Sequence, residues 1–153
     1  AILMATNSTN SISTLELIGV GLWATWFVLE HISDLQKQQF LKKAFLEKKK
    51  KQVCNVGFWQ YTRHPNYFSE WMVWNAMIIA SLSSFSSLYS EDQALNWIII
   101  CLGLFYISYI MYTTLVYYTG AVPSEFYTLQ KRPNYKAYQE QTNMFFPGPK
   151  KLN

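Results

Sequence analysis

Between residues 57 and 71 the chain reads Gly-Phe-Trp-Gln-Tyr-Thr-Arg-His-Pro-Asn-Tyr-Phe-Ser-Glu-Trp, and here the residues able to do chemistry crowd together. Pro65 suits the first turn of a helix, where its missing N–H would have no partner anyway. A helix opening there offers unpaired N–H donors and the positive end of its dipole, a seat for an anion. Arg63, just outside, adds a planar and permanently charged fork that matches phosphate. Asn66 and Glu70 lie one turn apart on one face and can hydrogen-bond polar groups beside that anion. Singly, each residue would be equally at home in a capped membrane helix with interfacial aromatics (Trp59, Tyr61, Tyr67, Trp71). As a set they point to a nucleotide-like anion.

Further candidates flank this stretch. Glu30 and Asp34 share a helical face where the first apolar run ends, with Gln38 a turn beyond; a solvated helix end would show the same spacing. Lys131-Arg132-Pro133-Asn134-Tyr135 repeats the order of Arg63-His64-Pro65-Asn66-Tyr67, a basic pair followed by Pro, Asn and Tyr. The flanks differ, so both read as proline-started helices with basic residues at a membrane edge. Cys54 and Cys101 belong to no CxxC or metal-ligand spacing, and neither a disulfide nor a metal site is expected.

The elements that must position these residues follow from composition. Of 153 residues half are apolar and 18% aromatic, while only 14% are charged, well below the usual quarter for soluble domains. Such a chain reads as a single all-α membrane domain, 1–153. A first helix spans about 12 to 40 and leaves the membrane near Glu30. A second runs from Pro65 to about Leu82, and a third, without charge, from Ala94 to Tyr118. After Gly120 the chain turns polar, and Tyr135, Tyr138, Thr142 and Phe145 recur at the spacing of a short interfacial helix. Gly19, Gly21 and Ala24 give the first helix small residues for packing on neighbouring helices.

All thirteen Lys and Arg residues fall between the first and second spans or after the third. Three crossings put both regions on one side, the cytosol or the mitochondrial matrix. Six lysines between residues 42 and 53 form a juxtamembrane basic segment attracted to anionic lipid. The net charge of +4 therefore speaks of topology, and no nucleic-acid surface is evident. Candidates from all three blocks meet at one membrane face, which implies a polar cavity there.

Gly57-Phe58-Trp59 through Tyr61-Thr62-Arg63-His64-Pro65-Asn66-Tyr67-Phe68 and Glu70 resembles the signature of the steroid 5-alpha-reductase-like membrane proteins. The nearest branch is the domain of unknown function numbered 1295 (DUF1295); sterol C14 reductases and isoprenylcysteine carboxyl methyltransferases share the Arg-His-Pro-x-Tyr core more distantly. Two other blocks follow the family's order. They are Glu30 through Asp34 and Gln36, and Gly120, Pro123 and Glu125 through Arg132-Pro133, Tyr135, Tyr138, Thr142, Phe145 and Pro147. The resemblance implies an integral membrane protein of the endoplasmic reticulum or mitochondrial inner membrane. It also implies NADPH bound by Asp34, Arg63, Asn66, Tyr67, Glu70, Arg132, Tyr135 and Tyr138, and hydride transfer to a C=C bond of a hydrophobic, steroid- or lipid-like substrate. Ser69 stands where the family usually has glycine or another very small residue. Family members carry further helices upstream that build the substrate cavity and supply the catalytic acid, so this chain corresponds to the cofactor-binding half, and the catalytic residues are not assigned. A methyltransferase using S-adenosylmethionine is one alternative. Another is a non-catalytic, lipid-binding subunit docked on other membrane subunits.

Overall fold

In the computed structural model, which describes residues 12–49, 51–87 and 94–151, every regular element is helical. The all-α expectation holds. Helix α1 (Thr14–Leu46) starts at a capping box, in which the Ser13 hydroxyl accepts from the Glu16 N–H and the Glu16 carboxylate from the Ser13 N–H. Reciprocal capping of this kind fixes where a helix begins. Its 33 residues span about 50 Å at 1.5 Å per residue, so its basic end projects well past the apolar run.

A 3-10 turn (Gly57–Gln60) leads to α2 (Pro65–Ser87), which opens at the proline as expected. Helix α3 (Ala94–Thr113) continues through a π-helical turn, Thr114–Tyr118. Beyond Gly120 come α4 (Ala121–Lys131) and the seven-residue α5 (Tyr135–Gln141). Helix α5 is the short C-terminal helix foreseen, though it ends at Gln141, before Thr142 and Phe145. No sequence signal had marked α4, an amphipathic helix that buries Ala121 and Glu125 and holds Pro123 in its first turn.

Helices α1 and α2 form the principal packed pair. At Gly19 they approach so closely that a Cβ would lie 2.5 Å from the Ala80 backbone, whereas one on Gly21 would meet nothing. Gly19 thus serves contact within the chain, while Gly21 and Ala24 face outward. Helix α3 is different: none of its residues is buried, and Leu95, Ile99, Leu102, Phe105 and Tyr109 stand exposed along it. So large an apolar surface marks contact with lipid or another protein. Helix α1 and the run beginning at Ala94 are long and apolar enough to cross a membrane. Helix α2 has the length, but Glu70, Asn75 and its serines dilute its hydropathy.

The aromatic core lies directly beside the Arg-His-Pro motif. Leu115, Val116 and Phe145 are buried against Tyr67, Phe68, Trp71 and Tyr112. Phe145 meets Tyr112 and Phe68 edge-on, with ring centroids 5.1 and 5.8 Å apart, the geometry that ring quadrupoles favour. The N-terminal residues 1–11 and the acidic pair Glu91-Asp92 of the serine-rich loop lie outside the described residues.

Candidate functional site at the basic end of the helices

The motif is clasped from two sides. Gly57 adopts φ +55°, and a Cβ on it would sit 2.3 Å from Gln36 Oε1, so glycine is required both for the backbone and for the approach. That close contact lets Phe58 N–H donate to Gln36 Oε1 at 2.9 Å. Trp59 Nε1–H donates to the Ser33 carbonyl at 2.9 Å, and Lys37 Nζ lies 4.4 Å over the Trp59 ring. From the other side the chain beyond α5 returns. Arg63 N–H donates to Asn143 O at 2.9 Å, the Thr62 hydroxyl to Phe145 O at 2.9 Å and Gly148 N–H to Tyr61 O at 3.0 Å.

At the centre is a buried charge cluster. Glu125 Oε1 accepts from Arg63 Nε at 2.7 Å and from His64 Nε2 at 3.0 Å; its Oε2 accepts from Arg63 Nη2 at 3.1 Å and Gln139 Nε2 at 2.5 Å. Arg63 Nη1 donates to the carbonyls of Gln139 and Thr142. Burial alone would raise the Glu125 carboxyl, but hydrogen bonds from His64, Arg63 and Gln139 outweigh it and hold it at about 2. Burial pushes the His64 imidazole below its ordinary value, with Glu125 opposing. His64 is then neutral at pH 7 and, facing an ionised carboxylate, donates from Nε2.

This arrangement revises the part expected of Arg63. Its fork was to hold a phosphate, yet every one of its three nitrogens is bonded to protein, and its charge is matched by Glu125. The remaining expected residues fall into two groups. Arg132, Tyr135 and Tyr138 line one cavity of about 80 Å3 together with Arg63, His64, Lys37, Cys54 and Trp59. Asp34, Asn66, Tyr67 and Glu70 are absent from that lining. Asp34, Tyr67 and Glu70 gather on the α1–α2 face instead, where Asp34 is within electrostatic reach of Glu70, Glu30 and Tyr67.

Two residues join the groups. Lys37 senses both Asp34 and Arg132, and His64 stacks on Tyr67 with ring centroids 5.4 Å apart. Lys37 was not singled out from the sequence, although its place three residues after Asp34 puts it on the same side of α1. Among the described residues neither Lys37 nor Arg132 has a carboxylate within salt-bridge distance. Arg132 Nη1 donates to the Gln52 carbonyl. The Asn66 side-chain oxygen is enclosed and has no hydrogen-bond partner among the described residues. Beside the α1–α2 face, an apolar cavity of about 290 Å3 is lined by Trp26, Leu29, Phe58, Pro65, Phe68 and Ser69, among others.

Fold and site together define an all-helical protein whose helices can cross a membrane and whose polar, partly cationic cavity lies at their basic end. The family model for a protein of unknown function, DUF1295, matches residues 1–142, and the chain belongs to that family. Nothing among curated proteins and nothing among solved structures matches it.

Proposed function

We propose that this chain forms the cofactor-binding portion of an NAD(P)H-dependent membrane reductase acting on a C=C bond of a hydrophobic, steroid- or lipid-like substrate. The observation that carries the reading is the pair Lys37 and Arg132: two cations facing one cavity, neither within salt-bridge distance of a carboxylate among the described residues, with Asp34 within electrostatic reach of Lys37. Like charges held together are costly unless an anion joins them, and a pyrophosphate is such an anion. Asp34 and Glu70 offer carboxylates to ribose hydroxyls, while the enclosed Asn66 oxygen reaches a ligand only where its surroundings open. Tyr135 and Tyr138 wall the phosphate site, Arg63 shapes it from within the fold, and Tyr67 bridges it to the α1–α2 face. The bound cofactor would supply the hydride, and the protein binding and orientation. The apolar cavity next to Pro65 and Ser69 suits the hydrophobic substrate.

The reading takes α1, α2 and the Ala94 run as three crossings, with both basic regions on the cytosolic or matrix side. A second reading has its own support. The same cations would hold a lipid phosphate, and the bare α3 surface suits a non-catalytic subunit packed among others. Titration of NADPH, NADH, S-adenosylmethionine and anionic lipid into the protein in its native assembly separates them. Lys37→Ala and Arg132→Ala should each weaken NADPH about tenfold or more, since a hydrogen bond to a charged group is worth about 1.5–3 kcal/mol. NADPH should also shield Cys54, which lines the cavity, from a thiol reagent while leaving Cys101 unaffected. Binding of lipid alone would sink the reductase reading in favour of the structural one, and binding of S-adenosylmethionine alone would point to the methyltransferase.

A further inference from the structure

Helix α4 has two unlike sides. Inward it supplies Glu125 to the cluster with Arg63 and His64, and Ser124 and Thr128 to the lining of the cationic cavity. Outward it exposes Val122, Phe126 and Leu129, spaced four and three apart on one face, with Tyr127 beside them. So many bare apolar side chains on an eleven-residue helix call for a covering. The outward polar residues are Gln130 and Lys131 at the C-terminal end, and the single carboxylate of α4 faces in. Helix α5 does the opposite. It buries Tyr135 and Tyr138 and exposes Lys136, Glu140 and Gln141, the outer side of a helix in water.

Two measures set the depth of α4. The run from Ala94 to Tyr118 rises about 35 Å, more than the roughly 30 Å of a hydrocarbon core, so the chain has reached the headgroups where α4 begins. Gly120 redirects it there. Its φ of −108° and ψ of −110° leave the helix, and a Cβ at this position would collide with the Leu115 carbonyl oxygen. Independently, Glu125 is bonded to Arg63 and His64, just before Pro65, where α2 opens. The middle of α4 is therefore held level with the start of that helix. Tyr117 and Tyr118 stand exposed between the bare surface of α3 and that of α4, aromatics of the kind that settle at a headgroup boundary. We propose that α4 lies in the headgroup boundary of the bilayer on the basic side, with Val122, Phe126 and Leu129 among the acyl chains. An amphipathic helix with lysine at one end and no outward carboxylate fits an anionic phospholipid surface. The bilayer then backs the helix that presents Glu125, Ser124 and Thr128 to the site, whatever ligand the cavity takes.

Spin labels on the two helices test the placement. In a background with Cys54 and Cys101 replaced, Phe126→Cys, Leu129→Cys and Lys136→Cys are labelled. The protein in its native assembly is reconstituted into phosphatidylcholine vesicles containing phosphatidylserine. All three residues are exposed, so the labels displace no packed side chain. At 126 and 129 the label should collide more often with oxygen, which concentrates among acyl chains, than with a water-soluble nickel chelate. At 136 the order should reverse. Labels at 126 and 129 as open to the chelate as the one at 136 would put this face in water. Labels at 126 and 129 shielded from both reagents would put another protein subunit over it. Either result overturns the proposal.

Discussion

Glu125 and Arg63 are separated by 62 positions in the chain, and no local pattern couples them. The arginine was legible as a functional residue by its place before Pro65, but the identity of its partner was not. Spacing rules see one helix at a time, and this pair is made by a side chain of α4 meeting one from the segment just before α2. The energetic consequence is testable. Removing one member of a buried pair leaves the other charge without compensation, at about 3–5 kcal/mol. Arg63→Ala and Glu125→Leu should therefore each lower the unfolding free energy in detergent by that order, and the double variant Arg63→Met/Glu125→Leu by less than their sum. Arg132→Ala, at a half-exposed residue, should move stability by within about 1 kcal/mol while weakening cofactor. Should Arg63→Ala instead leave stability untouched and abolish binding, Arg63 contacts the ligand after all.

The same cluster gives the fold an acid limit. A carboxyl held at about 2 against an unfolded value of 4.5 binds fewer protons folded than unfolded. Its stabilisation is complete above the unfolded value and drains away as pH falls toward 2. His64, held below 6.5, acts with the same sign, since the unfolded chain takes up its proton first. Unfolding midpoints should fall steadily below pH 5, and Glu125→Gln, weaker at neutral pH, should show a flatter acid limb. Parallel acid limbs for the two proteins would assign the acid sensitivity to other carboxyls.

At the scale of elements, the starts of the long helices were readable from the apolar runs and Pro65, whereas α1 runs on to Leu46 and α2 to Ser87, past the expected ends near 40 and Leu82. The run from Ala94 to Tyr118 was traced correctly, although its last turn is π-helical rather than α. Helix α4 escaped notice because its pattern is short and polar, and because it opens on Gly120 without a side-chain cap. What glycines do could not be read either, since two glycines two residues apart look alike in sequence. The contact at Ala80 distinguishes them. Gly19→Leu should force α1 from α2 and cost at least the 1–3 kcal/mol typical of overpacking, whereas Gly21→Leu should be close to neutral. Detergent unfolding midpoints of the two variants check this, and equal midpoints would mean that the α1–α2 crossing is loose enough to yield.

The molecule as a whole joins a site built from protein contacts to a surface that the protein leaves bare. Around the motif Tyr61, Thr62, Arg63 and His64 are each bonded to partners drawn from far along the chain. On α3, by contrast, Leu95, Ile99, Leu102, Phe105 and Tyr109 stand exposed. That division is what a bilayer demands: backbone bonded within each helix, apolar side chains outward, and ionisable groups drawn to one end. The charge asymmetry was plain in the sequence and needs no structure to state, but its consequence for orientation depends on how many helices cross. With α1, α2 and the Ala94 run all crossing, Lys48 and Lys150 share a side and Thr14 lies on the other. Single cysteines at these three positions, in a background with Cys54 and Cys101 replaced, can be labelled in sealed vesicles by a reagent that does not permeate. Lys48→Cys and Lys150→Cys should react from the same side and Thr14→Cys only from the opposite one. If α2 instead packs at the surface without crossing, only α1 and the Ala94 run span; Lys48 and Lys150 then label from opposite sides, and the two basic regions cannot share one cavity within a single chain.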